Sequence, residues 1–255
     1  MPCLPEFGKL AIMDDCWIPA SWEVPDHVQA GVTTRFGGVS RGAFAEFNLA
    51  DHVGDDPGAV ADNRRRLVER LRLPAVPQWL EQCHGSRVVN AAESGPVPLQ
   101  ADASFSCCKA VVCAVLTADC LPIVMWSAKE DRVTAVHAGW RGMVAGVVEN
   151  ALAHVCAADT VAWLGPSIGG DHYEVGPEVR AAFVQCRSTW AQAFRRGRGD
   201  RWYLDLAKAA RQALREAGVR RIWGGDLCTF EDRRFYSFRR DGRTGRMASL
   251  IWLSP

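Results

Sequence analysis

The chain has 255 residues, 48% hydrophobic and 23% charged, which is typical of a soluble globular protein long enough to bury a sizeable core. Its formal net charge of +1 gives no reason to expect a nucleic-acid or membrane partner. No apolar run approaches the roughly 18 residues of a membrane-spanning helix, and residues 1–10 lack the basic start and apolar stretch of a signal peptide.

The ten cysteines do not indicate disulfide bonds, because a chain of this length needs no such crosslinks and carries no secretory signal. We therefore expect free thiols and a cytoplasmic location. Charge is unevenly distributed, since residues 195–246 hold 14 Arg and one Lys against seven acids. Most of these arginines are expected at a solvated surface, although a basic segment also suits phosphate groups.

The first third of the chain predicts one clear helix. Residues 1–30 contain several prolines and are expected to be mostly extended, and residues 31–35 form a short strand. A glycine-rich loop follows at residues 36–42; it lacks the spacing and the Lys of a P-loop, so it is a weak phosphate-binding signal. The acidic pair before Pro57 predicts the start of a helix that ends near Pro74.

The middle of the chain predicts a series of buried strands. Residues 79–83 form a strand that leads to His84, and residues 92–100 form a loop. Residues 110–116 are a fully apolar run, typical of a strand buried on both faces. Two further apolar runs, within residues 123–136, are separated by a polar turn.

The last part of the chain alternates between helices and strands. Apolar spacing predicts helices at residues 143–158, 177–185 and 204–217. Short strands are expected at residues 161–164, 222–223, 235–238 and 249–253. No internal repeat or linker divides the chain. We therefore predict one α+β domain over residues 1–255, with mixed β-sheets layered with helices.

Three potential metal ligands lie near predicted strand ends, where sheet proteins often place their chemistry. They are His84, Cys120 and His137. Taken singly, each has an ordinary explanation, since free cysteines and lone histidines are usually packing or turn residues. Together, one thiolate and two imidazoles would form a three-ligand zinc site with its fourth position open. Their long spacing matches no compact zinc-finger pattern.

Two charged neighbours strengthen the case for a site. Asp119 places a charge beside an apolar strand, which costs free energy unless the carboxylate is paired or used. Arg141 stands at the start of a predicted helix, the unfavourable end for a cation. The N–H groups of a helix start bind anions, and a guanidinium binds phosphate through two hydrogen bonds. Arg141 is therefore a candidate phosphate ligand, the alternative being an ordinary surface arginine.

The chain resembles the bacterial laccase-domain family, also called polyphenol oxidase, YfiH-type or peptidoglycan editing factor proteins. The resemblance runs in family order from about residue 30 to the C-terminus. Its most specific block is His-Ala-Gly-Trp-Arg-Gly at residues 137–142. The other matching stretches are residues 33–40, 48–55, 82–85, 101–103, 117–122, 164–169, 173–176, 235–240 and 244–253.

The resemblance implies a zinc enzyme that acts on purine nucleosides. The family is linked to phosphorolysis of adenosine, inosine, guanosine and methylthioadenosine, and to adenosine deamination. It implies that zinc is bound by His84, Cys120 and His137 and that Arg35 and Asn48 line the substrate pocket. The expected partners are therefore a small nucleoside and phosphate. On the same resemblance, Arg35 joins Arg141 as a phosphate ligand.

The role of Asp119 stays open between a proton shuttle, a residue that orients the metal ligands, and a helix N-cap. One departure from the family is Cys83, where valine is more usual. Strand alternation would point its side chain away from that of His84.

Three other functions remain as alternatives. Cys120 could be the nucleophile of a hydrolase with His137 as its base and no obligatory metal. Its substrates would include amides of UDP-linked peptidoglycan precursors, on which the family is reported to act. Copper oxidation, the source of the older family name, is the least favoured because six histidines are few for a multinuclear copper centre. A binding or scaffold module is disfavoured by the intact set of site residues.

Overall fold

The structure is a computed structural model that describes residues 15–93, 95 and 97–254. The prediction that residues 1–30 are extended falls partly outside these ranges, and so does part of the predicted loop at 92–100. The helices are α1 (Pro57–Leu71), α2 (Trp140–Val144), α3 (Val147–Leu152), α4 (Pro177–Cys186), α5 (Leu206–Glu216) and α6 (Phe238–Asp241).

Fifteen strands lie in the part of the chain that the structure describes. They are β1 (Trp17–Pro19), β2 (Val28–Thr33), β3 (Leu80–Glu81), β4 (Val88–Asn90), β5 (Leu99–Gln100), β6 (Ala103–Ser106), β7 (Val112–Thr117), β8 (Leu121–Ser127), β9 (Arg132–Ala138), β10 (Thr160–Leu164), β11 (Glu174–Val175), β12 (Phe194–Arg196), β13 (Trp202–Leu204), β14 (Arg221–Gly224) and β15 (Met247–Leu253).

Two large sheets form the centre of the fold. The first is antiparallel, with the order β1-β2-β15-β7. The second has the order β14-β10-β8-β9-β6-β4 and is mixed, because β14 runs parallel to β10 and β4 parallel to β6. Smaller sheets pair β11 and β12 with β13, and β3 with β5. The predicted α+β fold with mixed sheets is confirmed, whereas one domain over residues 1–255 stays a prediction.

Strand alternation divides the core into layers. On β8, Ile123 and Met125 face α3, α4 and α5, while Val124 and Trp126 face the antiparallel sheet. On β7, alternate residues pack either between the two sheets or against α1 on the outer side. The fully apolar run predicted at 110–116 is therefore a strand with a packed layer on each face.

Two predicted elements are wrong. The helix expected at 143–158 is interrupted by Gly146, whose φ of 86° lies in the left-handed region, so the chain forms the short helices α2 and α3 instead. The strand expected at 235–238 is absent. There, Ser237 accepts a hydrogen bond from the backbone N–H of Arg240 and caps α6. The apolar residues Phe235 and Tyr236 are buried next to each other and belong to no strand.

Other predictions hold with shifted ends. Helix α1 begins after Asp56, whose carboxylate accepts the N–H of Ala59, as the acidic N-cap predicted. The strand before His84 is reduced to the two residues of β3. His137 lies within β9, one residue before its end, rather than just beyond it. None of the helices in the described residues is both long and apolar enough to span a membrane.

A buried asparagine of α1 fixes the glycine-rich loop. Asn63 is fully buried; its Nδ2 donates to Ser40 Oγ and the Asn48 carbonyl, both at 2.9 Å. Its Oδ1 accepts the backbone N–H of Val39 at 2.9 Å. A Cβ at Gly38 would come within 2.6 Å of the same Oδ1, so this glycine permits the close approach.

We expect Asn63→Ala to lower the free energy of unfolding by about 2–3 kcal/mol, because several buried groups lose their partners. Denaturant unfolding measures the change. Asn90→Ala is the matched control: Asn90 is only half-buried and bonds to Glu93 and Ala92 nearby in sequence, so its loss should stay below about 1 kcal/mol. Equal losses in the two variants would contradict the role given to Asn63.

Candidate metal centre and adjoining cavity

One end of the six-stranded sheet gathers the predicted ligands. Strand β4 begins four residues after His84, and β8 begins directly after Cys120. His137 is the penultimate residue of β9, which runs antiparallel to β8 and β6. The starts of β4, β6 and β8 therefore lie next to the end of β9, at the same end of the sheet. The sheet thus brings together side chains that are far apart in sequence.

The donor atoms of His84, Cys120 and His137 all lie within 4.8 Å of one another. Cys120 Sγ is 3.8 Å from His84 Nε2, and the two imidazole centroids are 4.7 Å apart with planes at 73°. His137 is buried, Cys120 is half-buried and His84 is exposed. The cluster is therefore closed on the His137 side and open toward His84.

Asp102, which has no predicted role, organises this cluster. Its fully buried carboxylate accepts His137 Nδ1 at 2.8 Å and the backbone N–H of His84 at 2.9 Å through Oδ1. Its Oδ2 accepts the N–H of Gly85 at 2.7 Å. Because a carboxylate only accepts, His137 Nδ1 carries the proton and Nε2 is left for the site. The signal in the sequence was a lone acid between two alanines, Ala101 and Ala103, both of which are buried in the structure.

One donor residue, His84, and the residue before another, Asp119, have left-handed backbones. His84 has φ 60° and Asp119 has φ 92°, values uncommon for residues other than glycine. At His84, the hydrogen bonds to Asp102 hold this conformation. At Asp119, Oδ1 accepts the hydroxyl of Thr229 and Oδ2 accepts the backbone N–H of Arg239, both at 2.6 Å. Backbone strain of this kind is concentrated at functional sites.

Glycines at the start of α2 permit the close packing around Cys120. A Cβ added at Gly139 would lie 3.0 Å from Cys120 Sγ and 3.1 Å from His84 Cδ2. A Cβ at Gly142 would lie 2.9 Å from the carbonyl oxygen of Gly85. The two glycines of the 137–142 block thus let the helix start pack directly on two of the three donor residues.

The charges of the cluster favour a thiolate. Burial alone would raise the pKa of Cys120, but the positive charge of His137 and hydrogen bonds from both imidazoles lower it to about 6. Burial likewise opposes charge on His137, and the Cys120 thiolate and Asp102 raise its pKa to about 9. Burial would raise the pKa of Asp102, yet the hydrogen bond and charge of His137 hold it at about 2.

This donor set fits a bound transition metal. One thiolate and two imidazoles are ligands that zinc and copper both accept, and three protein ligands leave a coordination position for substrate or water. Asp102 leaves His137 Nε2 as the ligand atom, the usual arrangement behind a metal-bound histidine.

The other predicted site residues fall into two groups. Arg141 is exposed at the start of α2 and forms no ion pair with any described residue. Its guanidinium lies over the ring of Trp140, 4.4 Å from the centroid, which leaves its N–H groups available to an anion. Arg35 instead donates two hydrogen bonds to the carbonyl of Ala45 and lies 4.8 Å from the ring of Tyr236. Asn48 is fully buried, with its side chain bonded to Asp55 and the backbone of Arg246.

A cavity of about 460 Å³ lies close to the segment that is hydrogen-bonded to Asp119, although none of the three donor residues lines it. Its lining residues are His52, Val53, Phe238, Gly242, Arg243, Thr244 and Arg246. Arg246 links it to the cluster: burial lowers the pKa of this arginine, and the negative charges of Cys120 and Asp119 act in the opposite direction. Residues 240–245 had no predicted role, and the arginines around their glycines were the signal that could have indicated a ligand site.

A second group of donor atoms lies outside this centre. The donor atoms of His172, Cys228 and Glu231 also lie within 4.8 Å of one another. His172 Nε2 is 2.7 Å from Glu231 Oε1, and Cys228 Sγ accepts the N–H of Gly169. These hydrogen bonds account for the group without a metal, but any measurement of metal content must separate the two groups.

Comparisons with known proteins agree with the resemblance seen in the sequence. The family described as multi-copper polyphenol oxidoreductase laccase matches residues 29–254. The chain is 47% identical over 243 residues to a purine nucleoside phosphorylase of Pseudomonas aeruginosa, with 94% of this chain and 99% of that protein aligned. It is 45% identical over 241 residues to purine nucleoside phosphorylase YfiH of Escherichia coli, with 92% and 98% aligned.

Solved structures show the same fold. A DUF152 protein of Neisseria meningitidis matches with a TM-score of 0.91 and 43% identity, covering 94% of this chain and 100% of its own. YlmD from Geobacillus stearothermophilus matches with a TM-score of 0.82 and 32% identity, covering 90% and 93%. The chain therefore belongs to the laccase-domain family, with the fold of the YfiH-type proteins.

Proposed function

We propose that the protein is a zinc-dependent purine nucleoside phosphorylase that cleaves adenosine, inosine, guanosine and methylthioadenosine and also deaminates adenosine. The observation that carries the proposal is the convergence of His84, Cys120 and His137 beside an arginine-lined cavity. Relatives 45–47% identical along almost their whole length bear the name purine nucleoside phosphorylase. Zinc, when bound, supplies a Lewis acid at the open end of the cluster.

Phosphorolysis requires the chain to hold an anion next to the sugar. A phosphate oxygen forms a bond to the anomeric carbon, the bond from that carbon to the base breaks, and the base takes the electron pair and a proton. The exposed, unpaired guanidinium of Arg141 is our candidate for holding the phosphate. Because α2 has only five residues, its N-terminus contributes little to binding the phosphate. Adenosine deamination instead replaces the amine with a water oxygen and needs no phosphate.

The remaining predicted residues act in this proposal by positioning others. Asp119 commits its carboxylate to Thr229 and Arg239, so it fixes the turn before Cys120 to the segment that leads into α6. Its bond to an N–H in the first turn of α6 resembles an N-cap supplied from elsewhere in the chain. Arg35 and Asn48 hold the loops next to the cavity, and contact between their side chains and substrate stays a prediction.

A metal-independent Cys/His hydrolase is the second candidate. The observation in its favour is that Cys120 has a lowered pKa beside His137, which Asp102 orients, an arrangement typical of cysteine nucleophiles. Amides of UDP-linked peptidoglycan precursors are the substrates to test. A multinuclear copper oxidase is less favoured, because the described residues bring only two histidines into the centre.

We expect Cys120→Ala to lose both bound zinc and nucleoside turnover while remaining folded, because one of three ligands is removed from an open site. Metal content per chain, circular dichroism and inosine turnover are the measurements. Cys83→Ala is the matched control; its thiol contacts Asp102 but is not among the three donors, so zinc and activity should persist. Cys228→Ser separates any metal held by the second donor group.

Full zinc and full activity in Cys120→Ala would contradict both the metal and the nucleophile roles of this residue. Removing the metal with a chelator distinguishes the two candidates. Activity that vanishes and returns with zinc supports the phosphorylase proposal, whereas full activity without metal supports the Cys/His hydrolase.

We expect Gly139→Ala to weaken metal affinity by about tenfold or more with little change in melting temperature. The added methyl group would press on Cys120 Sγ and His84 Cδ2, so the donor atoms must move apart. Gly95→Ala is the control, since a Cβ there meets nothing within 4 Å. Unchanged zinc affinity in Gly139→Ala, measured with a competing chelator, would show that the centre does not depend on this close packing.

We expect Arg141→Lys to raise the KM for phosphate by about tenfold or more, because lysine cannot make the paired hydrogen bonds of a guanidinium. Arg198→Lys, at another exposed arginine, should leave this KM unchanged. The assay compares inosine cleavage with and without phosphate and identifies ribose phosphate or free ribose as product. Equal cleavage in both buffers would refute the phosphorylase proposal, and adenosine deamination should proceed without phosphate in either case.

A further inference from the structure

The hydrogen-bonded segment of residues 237–240 presents one phenylalanine to solvent. Of the described phenylalanines, only Phe36 and Phe238 are exposed, at 36% and 58%. Phe238 begins α6, which Ser237 caps. The guanidinium of Arg240 reinforces the segment by donating to the carbonyls of Thr229 at 2.7 Å and Phe235 at 2.8 Å. Several hydrogen bonds thus hold the backbone that carries the exposed ring.

The same segment is hydrogen-bonded to the residue that precedes Cys120. Arg239, the neighbour of Phe238, donates its backbone N–H to Asp119 Oδ2 at 2.6 Å. Asp119 directly precedes Cys120 and also accepts the hydroxyl of Thr229. One hydrogen bond and two peptide bonds therefore connect the backbone of Phe238 to that of Cys120.

The cavity beside Phe238 is large enough for a small molecule such as a nucleoside. Its volume of about 460 Å³ lies in the range of small-molecule pockets. The guanidinium of Arg246 is 5.9 Å from the Phe238 ring centroid, and its Nη1 donates to the carbonyls of Thr244 and Gly245. Its Nε and Nη2 have no partner among the described residues, so they are free to donate to a ligand.

We propose that Phe238 is the platform on which the base of a purine nucleoside stacks, with Arg246 donating hydrogen bonds to the ribose hydroxyls. This inference rests on the substrate class of the proposed function. A flat base stacks on an aromatic ring regardless of its substituents, which suits a site for adenosine, inosine and guanosine alike. A base on Phe238 places its sugar toward Arg246, whose guanidinium lies 5.9 Å from the ring centroid.

The test uses zinc-loaded protein with Phe238→Ala, Phe238→Tyr and the control Phe36→Ala. In Phe238→Ala, the KM for inosine should rise about tenfold or more, while kcat changes by less than about threefold and the KM for phosphate is unchanged. Phe238→Tyr keeps the ring and should restore the KM for inosine. Phe36→Ala removes an exposed ring that does not line the cavity, so it should behave as wild type.

Direct binding of inosine by calorimetry separates this inference from the proposed function. An unchanged KM and Kd for inosine in Phe238→Ala, with phosphorolysis intact, would overturn the platform alone. Equal losses in Phe238→Ala and Phe36→Ala would overturn it too. A wild type that binds inosine without cleaving it, with weaker binding in Phe238→Ala, would support the platform and overturn the phosphorylase. A wild type that neither binds nor cleaves inosine would overturn both.

Discussion

The candidate metal centre depends on one buried carboxylate. Asp102 has no exposed surface, and leaving a carboxylate unpaired there would cost several kcal/mol. Backbone N–H groups of the 83–85 turn and the imidazole of His137 satisfy both of its oxygens. The same bonds set the left-handed backbone at His84 and the protonated nitrogen of His137. Two of the three donor residues are therefore oriented by a residue that would not itself touch the metal.

Asp119 does for the cavity what Asp102 does for the donor cluster. It joins the turn before Cys120 to Thr229 and Arg239, although Asp119 and Arg239 are 120 positions apart. Each carboxylate thus replaces water as the partner of groups that the fold buries. The turn before Cys120 therefore connects the donor cluster to the segment that carries Phe238, and neither arrangement can form before the distant segments have met.

Local patterns in the sequence predicted the parts of the fold that depend on local physics. The proline and acidic cap of α1, and the apolar runs of β7 to β9, were read correctly because capping and burial leave a periodic signature. The break at Gly146 was missed because apolar spacing continues across it. The strand predicted at 235–238 failed because Phe235, Tyr236 and Ser237 are buried in succession and pair with no described strand.

The sequence predicted the donor residues of the candidate site but not the residues that hold them in place. His84, Cys120 and His137 were identified from strand ends and from the family resemblance, and the structure brings them together. Asp102, Phe238 and Arg246 were missed. Their roles arise from contacts between segments more than fifteen residues apart, such as Asp102 with His84, which no local pattern reveals.

The β8–β9 hairpin has a further consequence for how the chain can vary in length. Its open end carries Cys120 and Gly139, whereas its turn, at residues 128–131, lies seven residues of strand away, roughly 23 Å. Extra residues in that turn would leave the register of Pro122 with His137 intact. One extra residue inside β9 would instead send His137 to the opposite face. Insertions and peptide tags should therefore be tolerated at the turn and nowhere along the two strands.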